Sequence, residues 1–202
     1  METLEYLVDK YKIDLNQPSP FWVNCNRLID LPVIFKDLGF TKGAEIGVLE
    51  GKYSKILCQS NPELKLYCID PWEFYPVHKN FRKARMYEPI YQKAKETLSK
   101  YPNSEIIRKK SVDAVKDFAD ESLDFVFIDA DHRFQAVTND IAEWSKKVRV
   151  GGIISGHDYG KSRSKDFVHA RFVVHAWTSA YEIHPWFVLD APNEQSWMWV
   201  KT

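Results

Sequence analysis

The chain has few cysteines, no excess charge of either sign and no apolar run long enough to span a bilayer. Its three cysteines, Cys25, Cys58 and Cys68, form no C-x-x-C pair and read as small apolar core residues of a protein kept in a reducing cytoplasm. Lysine plus arginine and aspartate plus glutamate each number 28, so no global field recruits nucleic acid or an anionic membrane. Residues 1 to 12 carry acids early and no continuous apolar stretch, which is unlike a leader or an anchor. Repeats, low-complexity tracts and linkers are missing as well. What remains is a chain of 202 residues, enough for one cytoplasmic domain with a substantial core.

Residues 41 to 58 organise the rest. Ala44 to Leu49 reads as a short buried strand, and Gly51 followed by Lys52 to Gln59, with Tyr53, Ile56 and Leu57 apolar at helical spacing, reads as the helix after it. Gly47 and Gly51 let the backbone turn tightly and let a ligand approach the main chain, next to a helix N-terminus that suits an anion. The dinucleotide fingerprint G-x-G-x-x-G is not met, because three residues separate the two glycines and no third glycine follows in place. Glu45 would repel a phosphate but accept hydrogen bonds from an ammonium group, which suits an amino-acid-like cofactor tail. On these residues the stretch resembles the first motif of class I S-adenosylmethionine-dependent methyltransferases, Glu/Asp-x-Gly-x-x-x-Gly; a helix-packing turn in an ordinary α/β domain is the alternative.

Along the chain, Leu4, Leu7, Val8 and Tyr11 mark a first amphipathic helix, and residues 27 to 38 a second, with Gly39 as its stop and Asp30 as an N-cap if Pro32 restarts it. Residues 1 to 40 thus read as a helical cap on a core at 41 to 202. Leu64 to Ile69 is the next strand and ends in Asp70, 25 positions after Glu45, where a Rossmann-like fold places an acid on the cofactor ribose. The aromatic segment 71 to 83 reads as a lid or substrate wall, or as cover for the core, and Trp72 at its start is counted with the cofactor contacts. A helix over 84 to 100, a strand over 104 to 108 and a short helix opened by Ser111 follow, with Ser111 as N-cap and Asp113 toward the adenine side. Leu123 to Ala130 is a central strand, residues 134 to 148 form a helix, Gly151-Gly152 turns the chain into the strand at 153 to 155, and residues 163 to 180 contain a further helix. Residues 181 to 189 and 196 to 201 make a terminal hairpin joined by a turn at 190 to 193. The expected fold is a Rossmann-like doubly wound α/β sheet with helices on both faces and an antiparallel C-terminal hairpin.

In such sheets ligands bind beyond the carboxyl ends of the strands. Here the successive ends carry Glu45, Asp70, the Ser111 to Asp113 corner, Asp129 to His132 and His157-Asp158. Asp129 and Asp158 offer hard oxygen ligands for a cation, with His157 as a third ligand. A bound cation would lower the pKa of a substrate hydroxyl, or His132 would take that proton itself. Capping of turns by the acids is the bland alternative. Phe127-Ile128-Asp129-Ala130-Asp131-His132 and Gly151-Gly152-Ile153-Ile154-Ser155-Gly156-His157-Asp158-Tyr159 resemble the small class I O-methyltransferases of the catechol and macrocin type. That resemblance implies metal positions at Asp129, His157 and Asp158, and puts His132 where the catechol enzymes carry a catalytic lysine. The chain departs from the catechol type in having His157-Asp158 where that type has Asp-Asn.

The expected function is O-methylation of a small hydroxylated molecule, a sugar or sugar-containing metabolite ahead of a phenol. Glu45, Gly47, Gly51, Asp70, Trp72, Ser111, Asp113 and Asp129 would hold S-adenosylmethionine. Asp129 and His132 would act in catalysis, and Asp129, His157 and Asp158 would hold Mg2+ or Mn2+. No nucleic-acid or membrane partner is expected, and the aromatic-rich hairpin offers a homodimer face. The rival readings are a cofactor-binding module without catalysis and a nucleotide-cofactor oxidoreductase. Histidines 169, 175 and 184 are read as ordinary helix or loop residues.

Overall fold

The computed structural model describes residues 2–73, 84–160, 168–191 and 195–202. The expected contributions of residues 74 to 83, of 161 to 167 and of the turn at 192 to 194 lie outside these. Strands β1 (Phe21–Val23), β2 (Lys42–Ile46), β3 (Lys65–Ile69), β4 (Ser104–Ile107), β5 (Leu123–Ile128), β6 (Val148–Gly156), β7 (Trp186–Leu189) and β8 (Ser196–Val200) form one sheet in the order β1-β7-β8-β6-β5-β2-β3-β4. Only β8 runs against its neighbours, pairing antiparallel with both β6 and β7. All other strands therefore open their carboxyl ends on the same rim.

Helices cover both faces, as the alternating apolar pattern requires. On one face α1 (Thr3–Tyr11), α2 (Asp30–Asp37), α3 (Lys52–Ser60) and α4 (Tyr87–Leu98) bury Leu7, Phe35, Leu57 and Leu98 against Phe125 and Phe127. The opposite face carries α5 (Ser111–Ala114), α6 (Phe134–Lys147) and α7 (Ala170–Ala180), whose Val137, Ile141, Trp144 and Val174 meet Ile46, Val126 and Ile154. Phe35 stacks on Phe125 at 3.9 Å between ring centroids. That packing leaves no room beside Gly43, where a Cβ would fall 2.1 Å from the Phe125 ring.

Several local expectations are corrected. Residues 1 to 40 are more than a helical cap, because β1 joins the sheet edge beside β7; three residues between turns give too short an alternation to register as a strand. Residues 27 to 29 lie outside α2, and Asp30 is its first residue, with Ile29 at the N-cap position. Asp30 instead accepts a hydrogen bond from the Asn26 N–H. Gly151 and Gly152 lie inside β6 rather than in a turn before it, at the point where the register with β5 shifts. A Cβ on Gly152 would meet the Asp124 carbonyl oxygen at 2.4 Å, so the glycine admits a bulge in a strand. Residues 181 to 185 precede β7 rather than belonging to it. Trp186, Trp197 and Trp199 are buried, so the hairpin spends these aromatics on the core.

Candidate active site

The register aligns the strand ends. Ile46 is level with Ile69 and Ile128, Ile69 with Ile107, and Ile128 with Gly156. The next residues, Gly47, Asp70, Arg108, Asp129 and His157, therefore share one rim. Three of the six non-glycine residues with positive φ among the described residues also lie here, Leu49, Trp72 and Asp158. Such conformations cost about 1–3 kcal/mol each and collect at functional sites.

On the β2 side, main-chain geometry dominates. Gly47 has φ +95°, and a Cβ there would stand 2.1 Å from the carbonyl oxygen of Asp129. Its bareness lets the β2 and β5 turns touch. Gly51, with φ +74°, is the N-cap of α3, and a Cβ there would approach Leu98 at 3.1 Å. Asp70 locks this turn: one carboxylate oxygen accepts the N–H groups of Val48 and Leu49, each at 3.0 Å, and the other accepts that of Trp72 at 2.7 Å. Buried Trp72 returns its indole N–H to the Leu49 carbonyl at 2.8 Å. Glu45 is buried below the turn and accepts a hydrogen bond from the Ser54 hydroxyl. Burial pushes its carboxyl up to about 8, with the Asp129 charge adding to this and the Ser54 bond and Arg27 charge opposing it. The Tyr53 hydroxyl nearby is buried and has no hydrogen-bond partner among the described residues.

The β5 and β6 ends bring side chains together. His132 Nδ1 lies 2.8 Å from one oxygen of Asp158, and His157 Nδ1 lies 3.3 Å from the other and 3.9 Å from Asp129. Asp129, His132 and Asp158 each offer a ligand atom within 4.8 Å of the others. His157, expected as a ligand, is not in that cluster; its Nε2 is buried with no hydrogen-bond partner among the described residues, and its carbonyl accepts the Trp197 indole N–H at 3.0 Å. Burial raises the Asp129 carboxyl to about 6 against the charges of His157 and His132. For Asp158 burial is outweighed by hydrogen bonds from His132 and His157, which hold it well below the usual carboxylate range. In His132 burial is likewise outweighed, by the Asp158 hydrogen bond and the surrounding carboxylates, and its pKa is raised.

Ser111 is not the N-cap expected of it. Ser111 is inside α5, with Lys110 at the N-cap position, and its hydroxyl donates to Asp140 and accepts the Trp144 indole N–H at 2.8 Å. Asp113 is exposed and pairs with Lys116 at 3.0 Å. Ser111 thus ties α5 to α6. The roughly 590 Å³ cavity lined by Tyr67, Ile107, Asp117 and Phe118 runs along β3 and β4 and meets this rim at Arg108. We assign function from the rim, where the strained backbone and clustered titratable groups are.

Sequence reasoning passed over two residues at this site. His169 accepts the Phe134 N–H at 3.1 Å, and its own N–H donates to the His132 carbonyl at 2.8 Å, so it fixes the segment that carries His132. Arg27 leaves the end of β1, and its guanidinium sits over the rings of Tyr53 and Phe127. The missed signal was β1 itself, which delivers Arg27 to the rim.

Residues 44–159 match the family described as methyltransferase domain. The chain belongs to that methyltransferase-domain family. An uncharacterized protein of Acanthamoeba polyphaga mimivirus is 30% identical over 115 residues, covering 57% of this chain and 50% of that one. The chain thus spans about half the length of this curated relative. Among solved structures, an O-methyltransferase from Bacillus cereus in complex with SAH has TM-score 0.65 at 16% identity, covering 98% of this chain and 90% of that one. A cofactor-bound protein from MTB has TM-score 0.64 at 17% identity, covering 98% and 89%. These structures share the fold of this methyltransferase domain. Among the described residues, no helix is long and apolar enough to cross a membrane.

Proposed function

We propose that this methyltransferase domain transfers the methyl group of S-adenosylmethionine to a hydroxyl of a small molecule, a sugar or sugar-containing metabolite ahead of a phenol. The observation that carries the reading is the His132–Asp158 pair, 2.8 Å apart, on the same rim as the β2 turn. The residues around that turn would hold the cofactor, Glu45 toward its ammonium end and Asp70 toward its ribose, and the buried Tyr53 hydroxyl, without a hydrogen-bond partner among the described residues, supports that reading. S-adenosylmethionine supplies the methyl group when bound. Methylation of a hydroxyl would release its proton, which must go to a base. With Nδ1 held by Asp158, the other ring nitrogen of His132 is the one that takes it. The neighbour from Bacillus cereus is named an O-methyltransferase, which supports a hydroxyl acceptor.

A second reading is favoured by the spacing of Asp129, His132 and Asp158. Two carboxylates and an imidazole suit a divalent ion such as Mn2+ better than Mg2+, and an ion held there would lower the pKa of the acceptor hydroxyl. His132 would then hold the ion rather than accept the proton.

The test is incubation with S-adenosylmethionine and a panel of sugars, glycosylated metabolites and phenols, with EDTA or added Mn2+, reading S-adenosylhomocysteine release and a methylated product by mass spectrometry. Turnover that persists in EDTA supports His132 as the base, and turnover restored only by the ion supports the second reading. Cofactor binding with no turnover across the panel would instead support a binding module.

A further inference from the structure

The cofactor assigned above carries a carboxylate beside its ammonium group, and a rim rich in acids needs a cation to hold it. Strand β1 is parallel to β7 and so to β6, and its pairing puts Trp22 level with Val188, which is level with Trp197, itself level with Gly156. The chain leaving β1 at Asn24 therefore emerges on the same rim as Gly47 and Asp129. Three residues later, half-buried Arg27 lies over the Tyr53 ring at 5.1 Å and the Phe127 ring at 5.9 Å. Tyr53 belongs to the first turn of α3, just past Gly51, and Phe127 stands two residues before Asp129. Arg27 is thus held between the two turns that flank the cofactor end, and its charge is felt at Glu45, Tyr53 and Asp129.

We propose that Arg27 binds the carboxylate of the cofactor's amino-acid end, beside Glu45, which takes the ammonium group. The inference rests on the S-adenosylmethionine reading. A guanidinium carries five donors in a planar fork that matches a carboxylate, and stacking on aromatic rings holds that plane in place. The buried Tyr53 hydroxyl, without a partner among the described residues, lies on the ring that Arg27 covers and can donate to the same carboxylate. An α-amino acid needs an acceptor for its ammonium and donors for its carboxylate, and Glu45 with Arg27 would supply them.

The test is calorimetric titration of the whole chain with S-adenosylhomocysteine, with its decarboxylated counterpart and with 5′-methylthioadenosine, for the native protein, Arg27→Lys and Arg27→Gln. The native protein is expected to prefer S-adenosylhomocysteine over the decarboxylated compound by about 10- to 100-fold, the range of a charge-assisted hydrogen-bonded pair. Arg27→Gln should erase that preference, Arg27→Lys should keep part of it, and neither should change affinity for 5′-methylthioadenosine. Equal native affinity for the first two compounds would overturn the proposal without any variant. So would a loss in Arg27→Gln shared equally by all three, which would mark Arg27 as a packing residue. Failure of all three to bind the native protein would instead remove the S-adenosylmethionine reading itself.

Discussion

The two halves of the rim use the same residue type in opposite ways. On the β2–β3 side the acids are bonded within the chain: Asp70 accepts three main-chain N–H groups, and buried Glu45 accepts the Ser54 hydroxyl. On the β5–β6 side Asp129 and Asp158 remain partly exposed and face histidines. An acid that satisfies main-chain donors fixes shape, whereas an acid that faces an imidazole fixes a protonation state. The first half reads as a cradle and the second as the reacting end, joined where Gly47 lies against the Asp129 carbonyl.

The sharpest separation of the halves comes from His132→Ala. It should lower kcat by about 10²–10⁴, the usual contribution of a general base, while S-adenosylhomocysteine affinity measured by calorimetry stays unchanged. Lost affinity would place His132 in the cradle instead. Gly47→Ala attacks the joint. The added Cβ meets backbone at 2.1 Å in a residue with φ +95°, so a loss of about 3 kcal/mol or more is expected, seen as a melting point lower by roughly 6–12 °C. Here binding and turnover should fall together.

Glu45→Gln probes the cradle alone. The Glu45 carboxyl is raised in the fold from 4.5 to about 8, so between these values the native state holds more protons than the unfolded one. Stability from this group is fully present below about 4.5 and is lost as pH rises toward about 8. The glutamine variant should lack this decline, so urea midpoints of the ligand-free variant and native protein should diverge, in the variant's favour, from about pH 4.5 to about 8. The smallest effect belongs to Asp113→Ala: an exposed pair with Lys116 is worth about 0–1 kcal/mol, and cofactor affinity should not change. A tenfold or larger loss of affinity would return Asp113 to the adenine side.

The legible parts were those where one residue type has one cause. The apolar runs at β2, β3 and β5, the helical period of α6 and the acids that follow β3 and β5 all lie in local sequence, and they placed Glu45, Asp70, Asp129 and His132 at strand ends. The glycine turn was legible as a turn, but its reason was not: Gly47 is bare because a neighbouring strand's backbone crosses it, a contact between segments about 80 residues apart. Ser111 shows the same limit, since its tie to Asp140 and Trp144 depends on how α5 meets α6. His157 and His132 could not be ranked from spacing either. Adjacent residues at a strand end point different ways, and the left-handed conformation of Asp158 turns that carboxylate between both rings. Arg27 was hidden for a topological reason, because a three-residue edge strand decides where it emerges.

The central claim is that this rim is an adenosyl-cofactor cradle joined to a proton-accepting end. The most direct test is calorimetric titration of EDTA-treated protein with S-adenosylhomocysteine and, separately, with NAD. The account predicts saturable binding of S-adenosylhomocysteine and none of NAD. Binding of NAD with none of S-adenosylhomocysteine would contradict it, and would require Glu45 to face a different ligand.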